Sequence, residues 1–514
     1  MGAVRGFEEV VCAISVAFFV RYVWRHGFKS LFGSALQAVL SASGGDKLLE
    51  SKMEEEASKT VQDLFPPFDH VDFHSSLPTK GLTREQILET ISKVTVNDIK
   101  PEQGKSFAYS YTLIDSEEHY NLIKEVYGIF MHSNALNPSI YPSLRHFENE
   151  IVAMTSSFLN SPETARGTMT SCGTESILMA VKTYRDRAKE LYGITQPEII
   201  LPITAHPAFS KATAYFSVTP VYVNVNSKTK KANVDEIQKA VTKNTILIVL
   251  SAPQYPHGTI DPIVEVTQFA LSRNIPVHVD SCIGGFFLPF VERLGYNVPS
   301  WDFRVPGVTS ISADVHKYGF SLKGASVLVF RTDMRKWQYY ACSHWPGGLF
   351  VSPSALGTRS GGSIAAAWAT MVSIGEEGYL KTTKLIYETA LWFREQLPLV
   401  PGVEIVGQPE SSIVAFTVTD VNVFSVADQM KSVYGWRLEV NQDSIHMSVM
   451  PSHAATKEKL LEDLKLSIQE VRNNPDLTKT GTAAIYGMVA KVPSTSILEL
   501  FLKTYMRKVF QTNQ

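Results

Sequence analysis

The hydrophobic pattern of residues 199–273 switches repeatedly between two periods, which leaves few architectures open. Residues 199–203, 218–225 and 245–250 are short apolar runs rich in β-branched side chains and read as strands. Residues 235–241 and 261–273 have helical spacing, the second with Pro262 in its first turn, where a missing N–H costs nothing. Strands alternating with helices predict a mainly parallel sheet, so the fold class is α/β. In such sheets ligands bind beyond the carboxyl ends of the strands. Chemistry is therefore expected of the residues that follow each strand.

Two strand ends carry reactive groups. GVTSIS, which begins at Gly307, and ASVLVF, which ends at Phe330, predict two buried strands with HKYG on a turn between them. Lys317 stands on that turn beside His316, placed to lose its charge and act as a nucleophile. A solvated loop lysine is the alternative. Upstream, in NIPVHVDSCIGG, an apolar strand ends on Asp280, whose carboxylate would point into the crevice. Pyridoxal 5′-phosphate requires both groups: an amine for a Schiff base, and an acid that keeps the ring nitrogen protonated. Many α/β chains carry Asp and Lys near strand ends, so the pair alone leaves other proteins open. In TSCGTESILMAVKTYRDRAKELY, Gly173 and Thr174 open a helix with one apolar face. Its free N–H groups suit a phosphate, although ordinary capping gives the same pattern. His206, in TAHPAFSKA, follows the first of the strands above, where a histidine is otherwise a satisfied polar group.

The strings SADVHKYGFSLKG and HVD resemble the group II pyridoxal-phosphate-dependent decarboxylases. Together with TSCGTESILMA, PQYPHGTIDP, TAHPAFSKA and DFRVPGVTS, they resemble those members that cleave phosphorylated sphingoid long-chain bases. The resemblance runs from about residue 82 to the C-terminus and implies fold type I, the aspartate-aminotransferase-like fold of pyridoxal-phosphate enzymes. It implies a large, mainly parallel-sheet domain and a small C-terminal α/β domain. It makes Lys317 the Schiff-base lysine, Asp280 the partner of the ring nitrogen and His206 the side chain stacked on the ring. Gly173, Thr174 and His316 would hold the cofactor phosphate, and Lys323, Tyr109 and Tyr255 would line the substrate end. Asn137 stands where a substrate-binding histidine is expected, Cys172 where a glycine is usual, and Ser281 where an alanine is usual. The implied reaction is a retro-aldol cleavage that yields a long-chain aldehyde and phosphoethanolamine. An amino-acid decarboxylase on the same cofactor frame and a non-enzymatic lipid-binding scaffold are the competing readings.

Composition adds limits. With 514 residues the chain suits two or three domains. The expected divisions are 1–60 as membrane anchor and linker, 61–125 as an N-terminal arm, 126–375 as the large domain and 376–514 as the small one. A formal net charge of −2 gives no electrostatic case for nucleic acid. The four cysteines are far apart and lack metal-ligand spacing, so a reducing compartment and no metal are expected. Residues 10–20 are unbroken apolar chain, extended by Tyr22, Val23 and Trp24, with Glu8 and Glu9 before and Arg21, Arg25 and Lys29 within or after. That charge order predicts a short membrane anchor with its C-terminal side in the cytosol; a helix lying on the surface is the alternative. Anchors of this kind in the resembling enzymes imply the endoplasmic reticulum membrane. The glycine- and serine-rich stretch 347–362 implies a homodimer, since such loops in fold type I enzymes reach the neighbouring subunit's site.

Overall fold

The computed structural model describes residues 73–479 except 108 and 115, residues 495–510, and scattered positions between 51 and 71. The apolar run at 10–24 lies outside the described residues. Among the described residues, no helix is long and apolar enough to cross a membrane. The chain forms two compact units, Met1–Ile99 with Lys479–Gln514, and Lys100–Thr478. In the first, the helix Arg84–Val94 is opened by a reciprocal cap. Thr83 Oγ1 accepts from Gln86 N at 3.3 Å, and Gln86 Oε1 accepts from Thr83 N at 2.8 Å. A second helix spans Thr495–Val509.

The second unit is built on a seven-stranded sheet. In chain order its strands are β1 (Arg166–Thr170), β2 (Glu198–Pro202), β3 (Thr219–Val223), β4 (Thr245–Ser251), β5 (Val277–Asp280), β6 (Val308–Ala313) and β7 (Ser326–Phe330). They lie in the order β1-β7-β6-β5-β4-β2-β3. Five of them, from β6 across to β3, run parallel; β7 runs antiparallel to both of its neighbours. The reversal has a local cause: the link between β6 and β7, residues 314–325, forms turns and no helix, so it returns the chain antiparallel. β2, β4, β5 and β7 are buried along their whole length, which explains why they read as continuous apolar runs and not as alternation.

A four-stranded antiparallel sheet follows, with β10 (Val403–Ile405), β11 (Ile413–Val418), β12 (Glu439–Val440) and β13 (Ile445–Ser448) in the order β10-β11-β13-β12, while β8 (Tyr340–Cys342) and β9 (Phe350–Ser352) form a separate hairpin. WRLEV reads as a full strand, yet only Glu439–Val440 pairs. Trp436 instead sinks into the core and its indole N–H donates to Asp463 Oδ2 at 2.9 Å. The helix Lys457–Asn473 buries Leu460, Leu464, Ile468 and Val471, the stripe its spacing predicts. Along the chain, the helix Gly361–Gln396 follows β9 and precedes β10; it is kinked at Gly375, whose φ of 60° suits glycine.

Several histidines are core residues held neutral by burial. His278 and His446 are pushed down to about 4, and His453 to about 3. His453 stacks on Phe107 at 3.6 Å between ring centres and donates from Nε2 to Ser106 O at 2.9 Å. His257 is also pushed down to about 4 by burial. Asp261 moves the other way: burial raises it to about 6, against the N–H groups of Ser251 and Ala232. Below pH 6.5 the unfolded chain binds protons that the folded imidazoles refuse, so stability falls as pH falls. Asp261 offsets one of these protons, because its folded form is the stronger proton binder between about pH 6 and 4. We expect stability to drop by about 4 kcal/mol per pH unit between about pH 6 and 4.5. Urea midpoints across that range measure it; a flat profile would show that these imidazoles are not held neutral.

Candidate active site

A cavity of about 570 Å³ opens at the carboxyl ends of the parallel strands. Ile203 to Pro207 reach it after β2, Ser251, Pro253, Tyr255 and Pro256 at and after β4, Asp280, Cys282 and Ile283 at and after β5, and Asp314, His316 and Lys317 after β6. Gly173 and Thr174 face it from the start of the helix Gly173–Tyr192. Tyr109, Tyr111 and Lys323 complete the wall. Nine of the ten residues expected from sequence thus meet in one place. Asn137 is the exception: it is exposed, and its Oδ1 accepts from Ser139 N at 3.1 Å and Ser139 Oγ at 2.7 Å. It stabilises its own turn and is not on the cavity wall.

The charge state of Lys317 differs from the sequence expectation. Burial does disfavour its ammonium, but the carboxylate of Asp314 lies 2.9 Å away and outweighs that effect, so Lys317 is held charged, above the usual lysine range. Asp314 is itself buried, which disfavours its charge, but the Lys317 ammonium outweighs this and holds it below the usual carboxylate range. The pair is stapled to the helix start. A Cβ at Gly173 would stand 2.7 Å from Asp314 Oδ2 and 2.7 Å from Cys282 Sγ, so only glycine lets the helix approach. Asp314 was visible in the sequence three residues before Lys317, but no periodicity marks a turn carboxylate as an ion-pair partner.

The remaining groups are fixed by short contacts. Asp280 Oδ1 accepts from Cys282 N at 3.1 Å and from Ser312 Oγ at 3.2 Å. His206 caps the helix Pro207–Phe216, its Nδ1 accepting from Ala208 N at 3.1 Å; burial depresses it, so it is a neutral ring with its proton on Nε2. His316 Nδ1 accepts from Ala325 N at 3.2 Å, and burial keeps this ring neutral too. Lys323 is lowered by burial and by Lys317, and its Nζ sits 4.9 Å from the centre of the Tyr111 ring. Tyr109 has a φ of 61° and donates from its hydroxyl to Glu439 Oε2 at 2.9 Å. Tyr255 packs on His446 at 4.3 Å between ring centres. Tyr111 and Glu439 join Asp314 as site residues that pattern alone did not single out.

The pyridoxal-dependent decarboxylase conserved domain matches residues 67–419. The sphingosine-1-phosphate lyase of Dictyostelium discoideum is 40% identical, over 84% of this chain and 82% of its own length. That of Arabidopsis thaliana is 43% identical, over 84% of this chain and 80% of its own length. A solved sphingosine-1-phosphate lyase from Burkholderia pseudomallei superposes with a TM-score of 0.77 at 37% identity, covering 83% of this chain and 98% of that one. The chain belongs to the sphingosine-1-phosphate lyase branch of the pyridoxal-dependent decarboxylase family. Its fold is shared more widely: Lactobacillus brevis glutamate decarboxylase gives a TM-score of 0.67 at 19% identity, covering 81% of this chain and 99% of that one.

The cofactor of this family is pyridoxal 5′-phosphate, and the residues of this sphingosine-1-phosphate lyase relative fit it. The cavity offers an amine at Lys317, a strand-end carboxylate at Asp280, and the amides of a helix N-terminus cleared by Gly173. Thr204 Oγ1, on the wall, is buried and has no partner among the described residues, as expected of a group that meets a ligand.

The Asp314 pair makes a direct prediction. In the apoprotein, Asp314→Asn removes the charge that keeps Lys317 protonated, and the pH midpoint for labelling Lys317 with an amine reagent should fall by at least about one pH unit. An unchanged midpoint would mean that Asp314 does not set the charge of Lys317.

Proposed function

We propose that this enzyme cleaves phosphorylated sphingoid long-chain bases into a long-chain aldehyde and phosphoethanolamine. The observation that carries the reading is the meeting of Lys317, Asp280, the Gly173 helix start and a second lysine, Lys323, on one cavity. Sphingosine-1-phosphate lyases at 40% and 43% identity support the substrate class.

Lys317 would hold the cofactor through Nζ, with Asp280 facing the ring nitrogen and the neutral His206 on the face of the ring. Gly173, Thr174 and His316 would take the cofactor phosphate. When bound, the cofactor supplies an electron sink for the cleavage step. Substrate enters with its amine at the Lys317 end and its phosphate toward Lys323, Tyr109 and Tyr255. Lys323 is exposed to the cavity, and its ammonium is disfavoured by partial desolvation and by Lys317, so an incoming phosphate would stabilise its charge. Tyr109 must turn from Glu439 to join that contact. The hydroxyl proton would pass to water in the cavity, the bond between the amine-bearing and hydroxyl-bearing carbons would break with its electron pair taken up by the cofactor's sink, and the aldehyde would depart. When not bonded to the cofactor, Lys317 would be kept as an ammonium by Asp314, 2.9 Å away, and would carry a proton for the fragment that remains.

Two wider features belong to the same proposal. The apolar run at 10–24 would anchor the enzyme in the endoplasmic reticulum membrane with its catalytic part in the cytosol, where a lipid substrate is met. A homodimer is supported by the hairpin of β8 and β9, where Trp345, Leu349 and Val351 are exposed, Leu349 by 89%.

Incubation with a phosphorylated sphingoid base should release long-chain aldehyde, and Lys317→Ala should release none. Lys323→Ala should retain cofactor while its kcat/KM for phosphorylated substrate falls by about 10- to 100-fold. Carbon dioxide from an amino acid, with no aldehyde from the lipid, would point instead to a decarboxylase.

A further inference from the structure

Behind Asp280 runs a buried chain of hydrogen bonds that the proposed reaction does not use. β5 and β6 pair with His278 opposite Ser310 and Asp280 opposite Ser312. The two-residue period therefore sets these four side chains side by side. Ser312 Oγ lies 3.2 Å from Asp280 Oδ1, His278 Nε2 lies 3.3 Å from Ser312 Oγ, and His278 Nδ1 lies 2.8 Å from Ser310 Oγ. Tyr184 OH lies 2.8 Å from Ser310 Oγ. His278, Ser310 and Ser312 are fully buried, and Tyr184 is almost so.

The direction of each proton between Ser310 and Asp280 follows from the carboxylate at its end. A carboxylate only accepts, so the single hydroxyl proton of Ser312 points to Asp280. Ser312 Oγ then accepts from His278, which puts the imidazole proton on Nε2. Nδ1 must therefore accept, and Ser310 supplies its hydroxyl proton. Ser310 Oγ accepts in turn from Tyr184. Thr309 Oγ1, 2.7 Å from Tyr184 OH, keeps this order by donating its proton to Tyr184; donation to Val277 O at 2.8 Å instead would leave two acceptors for the one Tyr184 proton. All four donors point toward Asp280 Oδ1, which Cys282 N also meets. No donor among the described residues reaches Oδ2.

We propose that His278, acting through Ser312, is a positioning residue that saturates Asp280 Oδ1 and so leaves Oδ2 as the open acceptor for the cofactor ring. The inference rests on the reading of Asp280 as the partner of the ring nitrogen. The chain works only with a neutral imidazole, since a proton on Nδ1 would turn Ser310 around. Burial supplies that neutrality. His278 is faced by Asp280 on its own strand and by the Phe209 ring, 5.8 Å away between centres, from the helix Pro207–Phe216. The groups that face Asp280 are His206 from that helix start, Cys282 from the segment after β5, and Lys317 and Asp314 from the turn after β6.

The test uses purified holoenzyme and three readouts: cofactor affinity, the pH titration of the bound cofactor's absorbance, and melting of the apoprotein. Ser312→Ala removes one oxygen and should weaken cofactor binding about tenfold. It should also move the midpoint of the absorbance titration by about half a pH unit or more. His278→Leu should act in the same direction. His278→Gln should recover part of the loss, because an amide can both donate to Ser312 and accept from Ser310. Tyr184→Phe, at the far end, should have the smallest effect. Asp280→Asn separates the two levels of the argument. If it lowers affinity and shifts the spectrum while Ser312→Ala and His278→Leu match wild type, the positioning role is wrong and the reading of Asp280 stands. If Asp280→Asn itself matches wild type, both fall. A Ser312→Ala variant that melts lower as apoprotein but titrates like wild type overturns the inference in favour of packing. Should His278→Leu fail to fold, Ser312→Ala decides alone.

Discussion

The parallel pairing of β5 with β6 is the constraint on which this site depends. It brings the end of one strand, Asp280, alongside the segment that leads to Lys317. It also sets His278 beside Ser310 and Asp280 beside Ser312, so the same ladder that holds the sheet lines up a donor chain behind the carboxylate. A slip of one residue by either strand would send its two side chains to the opposite face and break the donor chain. Burial of both strands on both faces resists such a slip, because it would exchange polar and apolar neighbours throughout the core.

The cavity is a balance of charge in a place that disfavours charge. Two lysines, Lys317 and Lys323, and two carboxylates, Asp280 and Asp314, share it with two imidazoles that burial keeps neutral. Asp314 and Lys317 stabilise each other in their ionised forms, against the burial that disfavours both charges. Lys323 makes no ion pair among the described residues and is depressed by burial and by Lys317, against a weaker pull from Asp314. The difference separates the two amines chemically: one is kept as an ammonium by the protein, and the other is left for an anion from outside.

Much of this was legible in the chain. The strands at 199–203 and 245–250, the helix begun by Gly173 and the stripe from Leu460 to Val471 follow from period and propensity, and each forms within a residue or two. Lys317, Asp280 and His206 could be picked out because each follows or ends an apolar run. Other features were out of reach. Asp314 is one acidic residue in a turn, and its partner is known only once that turn closes. Glu439 is far from Tyr109 in sequence, and the two meet only after the small sheet forms. WRLEV misled because a buried tryptophan in a loop and one in a strand look alike as a string.

The sequence by itself determined the α/β class, the residue types that the chemistry needs, and the order in which the strands deliver them. Those are local properties, set by side-chain period and by which groups can be buried. Tertiary structure alone decided that Lys317 carries a charge, that β7 runs against its neighbours, and that Asn137 stays on its own turn away from the cavity. Each of these depends on distances between segments remote along the chain or on the closing of a turn, and electrostatic energy in a buried site varies too steeply with such distances to be read from a string.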